Sequence, residues 1–315
     1  MARLVLWRLA TIPLVLIAVT LLVQCLSLLV PGDPAVTLAG GENASLERIE
    51  AIREELNLDD PLFIAYGRWL GDAVQGDFGS SIISGTSVVD EIARRLPVTL
   101  GLGLVTVAMI VPLAMFGGFA SAIWRARPPD RAILAGSSLA MAAPSFVVAI
   151  VLIVVFAVRL GWMPTFGFTR FTDSPAEWLH HLILPAFALA LAPSARLSRT
   201  LRGSLVDAFD GPYVRTAWAK GATPSAVLGK HALKNALVPT VTVFALQLDI
   251  LLGGSVIIEN VFSIPGLGAY MASAVQNNDL PVIQAVTVLF AVMTVLINLL
   301  VDIVYGLLNP KVRVS

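Results

Sequence analysis

Charge is scarce in this sequence. Only 13% of its 315 residues are Asp, Glu, Lys or Arg, about half the share found in a soluble domain. A chain this poor in charge, and 57% hydrophobic, is solvated by lipid over most of its length. Cysteine is nearly absent: Cys25 stands alone and can form no internal disulfide. It lies in an apolar run, where a small buried hydrophobe is the plain reading. Three histidines scattered along the chain, with that one cysteine, are too few for a metal site.

Motifs of chemistry are missing as well. There is no G-x-x-x-x-G-K-[ST] for nucleotide phosphates; Gly229-Lys230 is followed by His231 and lacks the preceding glycine. No Ser/His/Asp set or carboxylate pair gathers near a span end, so no catalytic residue is expected. No basic stretch is interleaved with aromatics, which excludes nucleic acid as a partner.

What is present is a series of long uncharged runs. Between Arg8 and Asp33 lie 24 uncharged residues, between Arg95 and Arg125 29, between Arg131 and Arg159 27, and between Asp279 and Asp302 22. A membrane-spanning helix needs about 20. Two further runs are interrupted: His181 to Arg196, extended toward Leu201, and Ala236 to Ile258, which contains Asp249. The expectation is an all-α membrane protein with about six transmembrane helices, near 9–30, 97–124, 132–158, 181–201, 236–258 and 282–308. The first run is too long for a signal-peptide core and no A-x-A-like site follows it, so it reads as a retained helix. Arg196, Arg199 and Arg202 then fall at the water boundary or snorkel to it.

Basic residues set the orientation. With the N-terminus inside, 14 of the 21 Lys and Arg face the cytoplasm, and both termini are cytoplasmic by the positive-inside rule. Segment 31–96 is then an external loop region. In it Ser45 is a candidate N-cap for a helix whose Leu46, Ile49, Ile52 and Leu56 recur at helical spacing. Such a helix covers the membrane-protein surface or docks an external partner.

Segment 202–235 is polar, basic and cytoplasmic. Gly211-Pro212 stops one helix and starts another, since Pro is tolerated in a first turn. YVRTAWAK makes two turns, Gly221 breaks the chain, and Thr223-Pro224 begins a second short helix. The product is a compact knob at the inner surface, a docking site or a basic loop against lipid headgroups.

Here the sequence resembles a family. YVRTAWAKGATPSAVLGKHALKNALVP is similar to the cytoplasmic coupling loop, the EAA loop, of binding-protein-dependent ABC importer permeases. Gly221 and Ala217 match the loop's glycine and one of its alanines. Arg215, Thr216 and Lys234 depart from the generic motif as the dipeptide/oligopeptide/nickel branch commonly does. PGDPA (31–35), LNLDDPLFIAYGRWL (56–70), GDFGSSI (76–82), APSFVVAI (143–150), IIENVFSIPGLGAYM (257–271) and NLLVDIVYGLLNPKVR (298–313) carry the resemblance along nearly the whole chain. Asn309 and Lys311 are mild departures at its end.

The resemblance implies a type I ABC importer permease fold, with 1–315 a single transmembrane permease domain and 202–235 its coupling loop. It implies a non-catalytic half-channel for peptides in the bacterial inner membrane. Its partners would be a second homologous permease, two cytoplasmic ATPase domains that use ATP and Mg, and an external solute-binding protein. Tyr213, Ala217, Lys220, Gly221, Ala222 and His231 are the implied ATPase contacts. A nickel complex or another small solute is the alternative cargo. An ion-coupled secondary transporter is the alternative class, but it calls for inverted repeats with matching broken helices, and none is visible. Asp249 and Asp302 are the intramembrane carboxylates and so the candidates for the pathway; an interhelical hydrogen bond is the plainer role for Asp249, and a structural or interfacial one for Asp302. Pro144, Pro185, Pro193 and Pro239 interrupt helical bonding, and Gly253-Gly254 permits close helix approach.

Overall fold

The computed structural model describes residues 2–27, 35–36, 45–55, 60–221, 223, 229 and 232–308. Their regular structure is helical, apart from an isolated antiparallel bridge between Ser80 and Ser87. The chain divides into two compact units, one of residues 2–99 and 265–295, the other of residues 100–264 and 296–315.

The first unit holds α1 (Ala2–Ser27), α2 (Leu46–Glu55) and α3 (Leu62–Val74). It also holds the start of α4 (Val88–Ile123), all of α10 (Leu267–Gln276) and the first half of α11 (Leu280–Leu308). Ser45 caps α2 as its sequence foretells, accepting from Arg48 N at 3.4 Å. Tyr66 on α3 ties to α1 through its hydroxyl, 2.8 Å from Thr20 Oγ1, which spares two buried polar groups an unmet hydrogen bond. Gln24 and Gln284 are likewise bonded to each other in a buried setting. Val88, Leu267, Ala274, Val282, Ala285 and Val286 form the core, flanked by Phe78, Leu96 and Met271. Asp279 precedes α11 and is 3% exposed; it accepts from Ser81 Oγ and from Ile82 N at 3.1 Å, fixing the 81–86 turn.

The second unit is organised around α7 (Pro175–Phe209). Ser174 caps it by accepting from Glu177 N at 3.3 Å, and Pro175 occupies the first turn, where no N–H is needed. Pro185 and Pro193 leave α7 continuous, because neighbouring helices can support a proline-interrupted ladder. Its buried face is mostly small: Ala186, Ala190, Ser194 and Ala195 alternate with Leu182, Leu189, Leu197 and Leu201. That lets α5 (Pro128–Ala142), α6 (Ser145–Leu152) and α9 (Leu233–Val261) all pack against it. At its glycines α4 approaches α7 closely. A Cβ on Gly118 would sit 2.8–2.9 Å from Leu201, and one on Gly117 2.6 Å from Ser198 Oγ. The Gly253-Gly254 pair singled out in the sequence is less tight: Gly254 approaches Leu189 at 3.3 Å and Gly253 has open space.

Each expected span coincides with a helix, but one is not straight. Among the described residues, four helices are long and apolar enough to cross a membrane, and a fifth is reached only if α5 and the helical stretch Ser145–Arg159 count as one span across a 105° bend. The bend falls at Ala143-Pro144, where Ala143 is extended (ψ 124°). Proline disfavours helical geometry in the residue before it, so α5 ends there and Pro144 opens α6. Beyond α6 a π-helical segment, Ile153–Arg159, completes that span. At the first expected span α1 carries an apolar stretch, Pro13–Cys25, that is shorter than a crossing helix needs. Cys25 is exposed on α1 rather than buried; an apolar run bound for lipid has no obligation to bury its cysteine in its own chain.

Candidate functional site

The last turns of α7 lead directly into the segment that the sequence marks for coupling. Leu201, Leu205 and Ala208 point into a core shared with Ala122 of α4 and Ala232 and Ala236 at the head of α9. Gly211 N closes onto Ala208 O at 3.1 Å, and α8 (Pro212–Ala219) begins at the next residue. Val214 and Ala217 are its buried pair. Thr216 Oγ1 donates to Pro212 O at 3.0 Å, along the helix. Lys220 N bonds back to Thr216 O, and Gly221 then adopts φ +75°. A side chain at that φ carries strain whatever the space around it.

Of the residues implied as ATPase contacts, Lys220 and Gly221 are exposed, while Ala217 is buried against Val214. Tyr213 lies within α8, its side chain outside the described set. Ala222, His231 and the second short helix expected after Thr223 lie outside the described residues.

Sequence reasoning missed the carboxylate that organises this end of the unit. Asp130, in the first turn of α5, is 2% exposed. Its Oδ1 accepts from Arg202 Nε at 2.7 Å and its Oδ2 from Arg202 Nη2 at 2.7 Å, a bidentate pair. Ser121 Oγ of α4 also donates to Oδ1, and Ala126 N donates to Oδ2 at 2.8 Å. Ala126 has φ +64°, and its N–H is held by that carboxylate. A second ion pair, Arg125 Nη1 to Asp210 Oδ2 at 3.1 Å, joins the same turn to the end of α7; being exposed, it is worth little by itself. The one sequence signal was the three-residue spacing of Arg196, Arg199 and Arg202. All three have partners on other helices. Arg196 donates to Gln247 on α9 and Arg199 to Ser138 on α5, both at 3.3 Å.

The intramembrane carboxylates have different surroundings. Asp249, half-buried on α9, accepts from Asn298 Nδ2 of α11 at 3.3 and 3.5 Å. Asp302 lies on α11, its side chain outside the described set. In the other unit a cavity of about 330 Å³ is lined by Ser81, Glu91, Arg95, Tyr270, Asn277 and Asp279. Arg95 pairs with Glu91 at 2.9 Å and lies 4.6 Å over the Tyr270 ring. Burial foremost, then the Asp279 and Glu91 carboxylates, push the Tyr270 phenol above its ordinary range, with Arg95 opposing.

The helices and their order have counterparts in known proteins. A family model described as binding-protein-dependent transport system inner membrane component matches residues 92–314, and the model of its N-terminal region matches residues 1–103. The chain belongs to this family. The permease is thus the membrane-spanning, non-catalytic subunit of a bacterial ABC importer, in the inner membrane, and it works with ATPase and solute-binding partners.

Similar sequences cover it almost end to end. The permease is 40% identical over 313 residues to a Brucella abortus (strain 2308) protein named "Putative peptide transport system permease protein", with 99% of each chain covered. It is 42% identical over 298 residues to the glutathione transport system permease protein GsiC of Escherichia coli (strain K12), covering 95% of this chain and 94% of that one. Among solved structures, a chain of the inward-facing MetNI methionine ABC transporter matches the permease with a TM-score of 0.57 at 19% identity. The match covers 70% of this chain and 96% of that chain, a likeness of fold.

Proposed function

We propose that the permease forms half of a translocation pathway for peptides and is driven through segment 202–235 by partner ATPases. The observation that carries the coupling assignment is the join between α7 and α8. The most buried candidate span is separated by only Asp210 and Gly211 from a short helix, which is followed by an exposed lysine and a glycine at φ +75°. Such a helix, with Val214 and Ala217 buried and its end exposed, is suited to enter a groove on a partner. Peptide cargo is supported by the names of relatives that match nearly full length, one called a peptide permease and the other a glutathione permease; glutathione is itself a tripeptide.

In this reading both termini and 202–235 face the cytoplasm, and 31–96 faces outward. A second, homologous permease completes the pathway. Two ATPase domains bind ATP and Mg, and a solute-binding protein delivers cargo from outside. Closure of the ATPases on ATP biases the helices between inward and outward arrangements. Tyr213, Lys220, Gly221, Ala222 and His231 meet the ATPase, whereas Ala217 supports α8 from beneath. Asp249 joins α9 to α11 rather than coordinating cargo, because its carboxylate already holds Asn298.

The test is reconstitution of the full complex in proteoliposomes with a panel of di- to pentapeptides and a nickel complex. Peptide uptake that is blocked by vanadate and requires the binding protein is expected. With Lys220→Glu, stimulation of the ATPase by loaded binding protein should fall about tenfold, a shift typical of one coupling contact. Uptake by the permease alone on a proton gradient would overturn the reading.

A further inference from the structure

We propose that the Asp130–Arg202 pair is a transmission clamp: it locks the α4–α5 turn onto the end of α7, so that force entering at α8 reaches α4 and α5 together with α7. The proposal rests on the coupling role given above to segment 202–235. It concerns positioning residues, since neither side chain need touch cargo or nucleotide.

Placement is the first argument. Arg202 stands seven residues before Phe209, the last residue of α7, about 10 Å along a helix at 1.5 Å per residue, and α8 begins at Pro212. Asp130 gathers donors from three places at once: Ser121 on α4, the backbone of Ala126 in the turn, and both faces of the Arg202 fork on α7. A load on the end of α7 therefore acts through Arg202 on two helices besides its own. Without the clamp, α7 would meet α4 and α5 through apolar contacts, which can slide, the exposed Arg125–Asp210 pair and the single Arg199–Ser138 hydrogen bond.

The second argument is the cost of such an arrangement. A carboxylate 2% exposed repays its desolvation only when its partners are all in place, and a hydrophobic replacement packs as well or better. Stability alone does not explain why this position carries a charge. Directionality does: two parallel N–H to O bonds fix distance and angle between the elements, where leucine against leucine would fix neither. Thirdly, Ala126 holds a left-handed φ of +64° while donating to the same carboxylate. The carboxylate that takes the Arg202 fork thus also holds the left-handed turn between α4 and α5.

The test uses the full complex, permease with its partner permease, ATPases and binding protein, in proteoliposomes. Arg202→Lys keeps the charge and removes the fork; Asp130→Asn removes the charge; Asp130→Arg with Arg202→Asp exchanges the two. Three readouts are taken: co-purification of the subunits, ATP hydrolysis, and solute imported per ATP hydrolysed. Arg202→Lys should assemble and hydrolyse ATP normally but import about tenfold less per ATP, inside the range by which residues in coupling networks shift communication. The exchange variant should recover part of that yield. Should Asp130→Asn fail to accumulate, Arg202→Lys still decides the matter. An unchanged yield in Arg202→Lys overturns the clamp, as does a parallel loss of assembly, hydrolysis and uptake in every variant. Lys220→Glu, run alongside, reports on the underlying reading. If it weakens ATPase stimulation while Arg202→Lys leaves the yield intact, the clamp falls and the coupling segment stands.

Discussion

Tyr270 has a buried hydroxyl without a hydrogen-bond partner, and two carboxylates close enough to disfavour its phenolate. Its pKa in the folded protein is above the unfolded value of 10.0. Ionisation of this phenol therefore carries no penalty for the fold below that pH, and stability falls as pH rises from it through the raised folded value. Thermal unfolding of the detergent-solubilised complex, followed between pH about 9 and 11, should show this decline, since an ordinary tyrosine titrates near 10. Tyr270→Phe should flatten that part of the profile. It should also leave stability at neutral pH unchanged or slightly raised, because an unmet buried hydroxyl is removed. Asp130 is the opposite case among single residues. Each of its oxygens is occupied, and its partner Arg202 is 72 positions away in sequence. No local pattern announces such a pair, so a reading residue by residue sees an ordinary helix-start acid and an ordinary boundary arginine.

Helices meet where side chains are small, and α4 against α7 is the plainest case. A Cβ at Gly118 would overlap the Cβ and Cγ of Leu201 at 2.9 Å, atoms too near the backbone to swing aside. Gly118→Ala is expected to lower stability by about 1–3 kcal/mol through overpacking. Gly136→Ala on α5 meets nothing within 4 Å and should gain up to about 1 kcal/mol of helix propensity. Melting temperatures of the two purified variants, measured side by side, check both signs. These glycines show what sequence can and cannot reveal about an element. Gly117-Gly118 and Gly253-Gly254 look alike as dipeptides, yet only the first pair lies hard against a neighbour, because what faces each pair is set by other helices. Pro144, Pro185 and Pro193 teach the same lesson. All three should disturb a helix, but only Pro144 coincides with a 105° break, while α7 runs unbroken through the other two. Solvation explains the difference in legibility. Charge-free length reports on lipid directly, so the four long apolar helices were visible in advance; packing partners and bends depend on residues far away in the chain.

At the scale of the whole molecule, topology is the main outcome of the charge pattern. Single cysteines placed at Ser174 and at Thr216, in a Cys25→Ala background, should react oppositely with a membrane-impermeant maleimide on intact cells. The first should label and the second should not until the membrane is opened. The reverse pattern would invert the orientation drawn from the 14 basic residues assigned to the cytoplasm. The helices also differ in how far their own chain covers them. The apolar window of α7 is 56% buried, whereas those in Ala236–Val261 and Leu280–Val301 are 28% buried. An interior mast of this kind is complete when the polypeptide is finished; the outlying helices are not, and some other molecule must coat them. Lipid can coat such apolar flanks; wherever a companion subunit is the coat instead, a cell that synthesises this polypeptide in excess leaves that flank open to membrane proteases and promiscuous neighbours. At such a seam, matched synthesis of the subunits would serve surface chemistry as much as gene control.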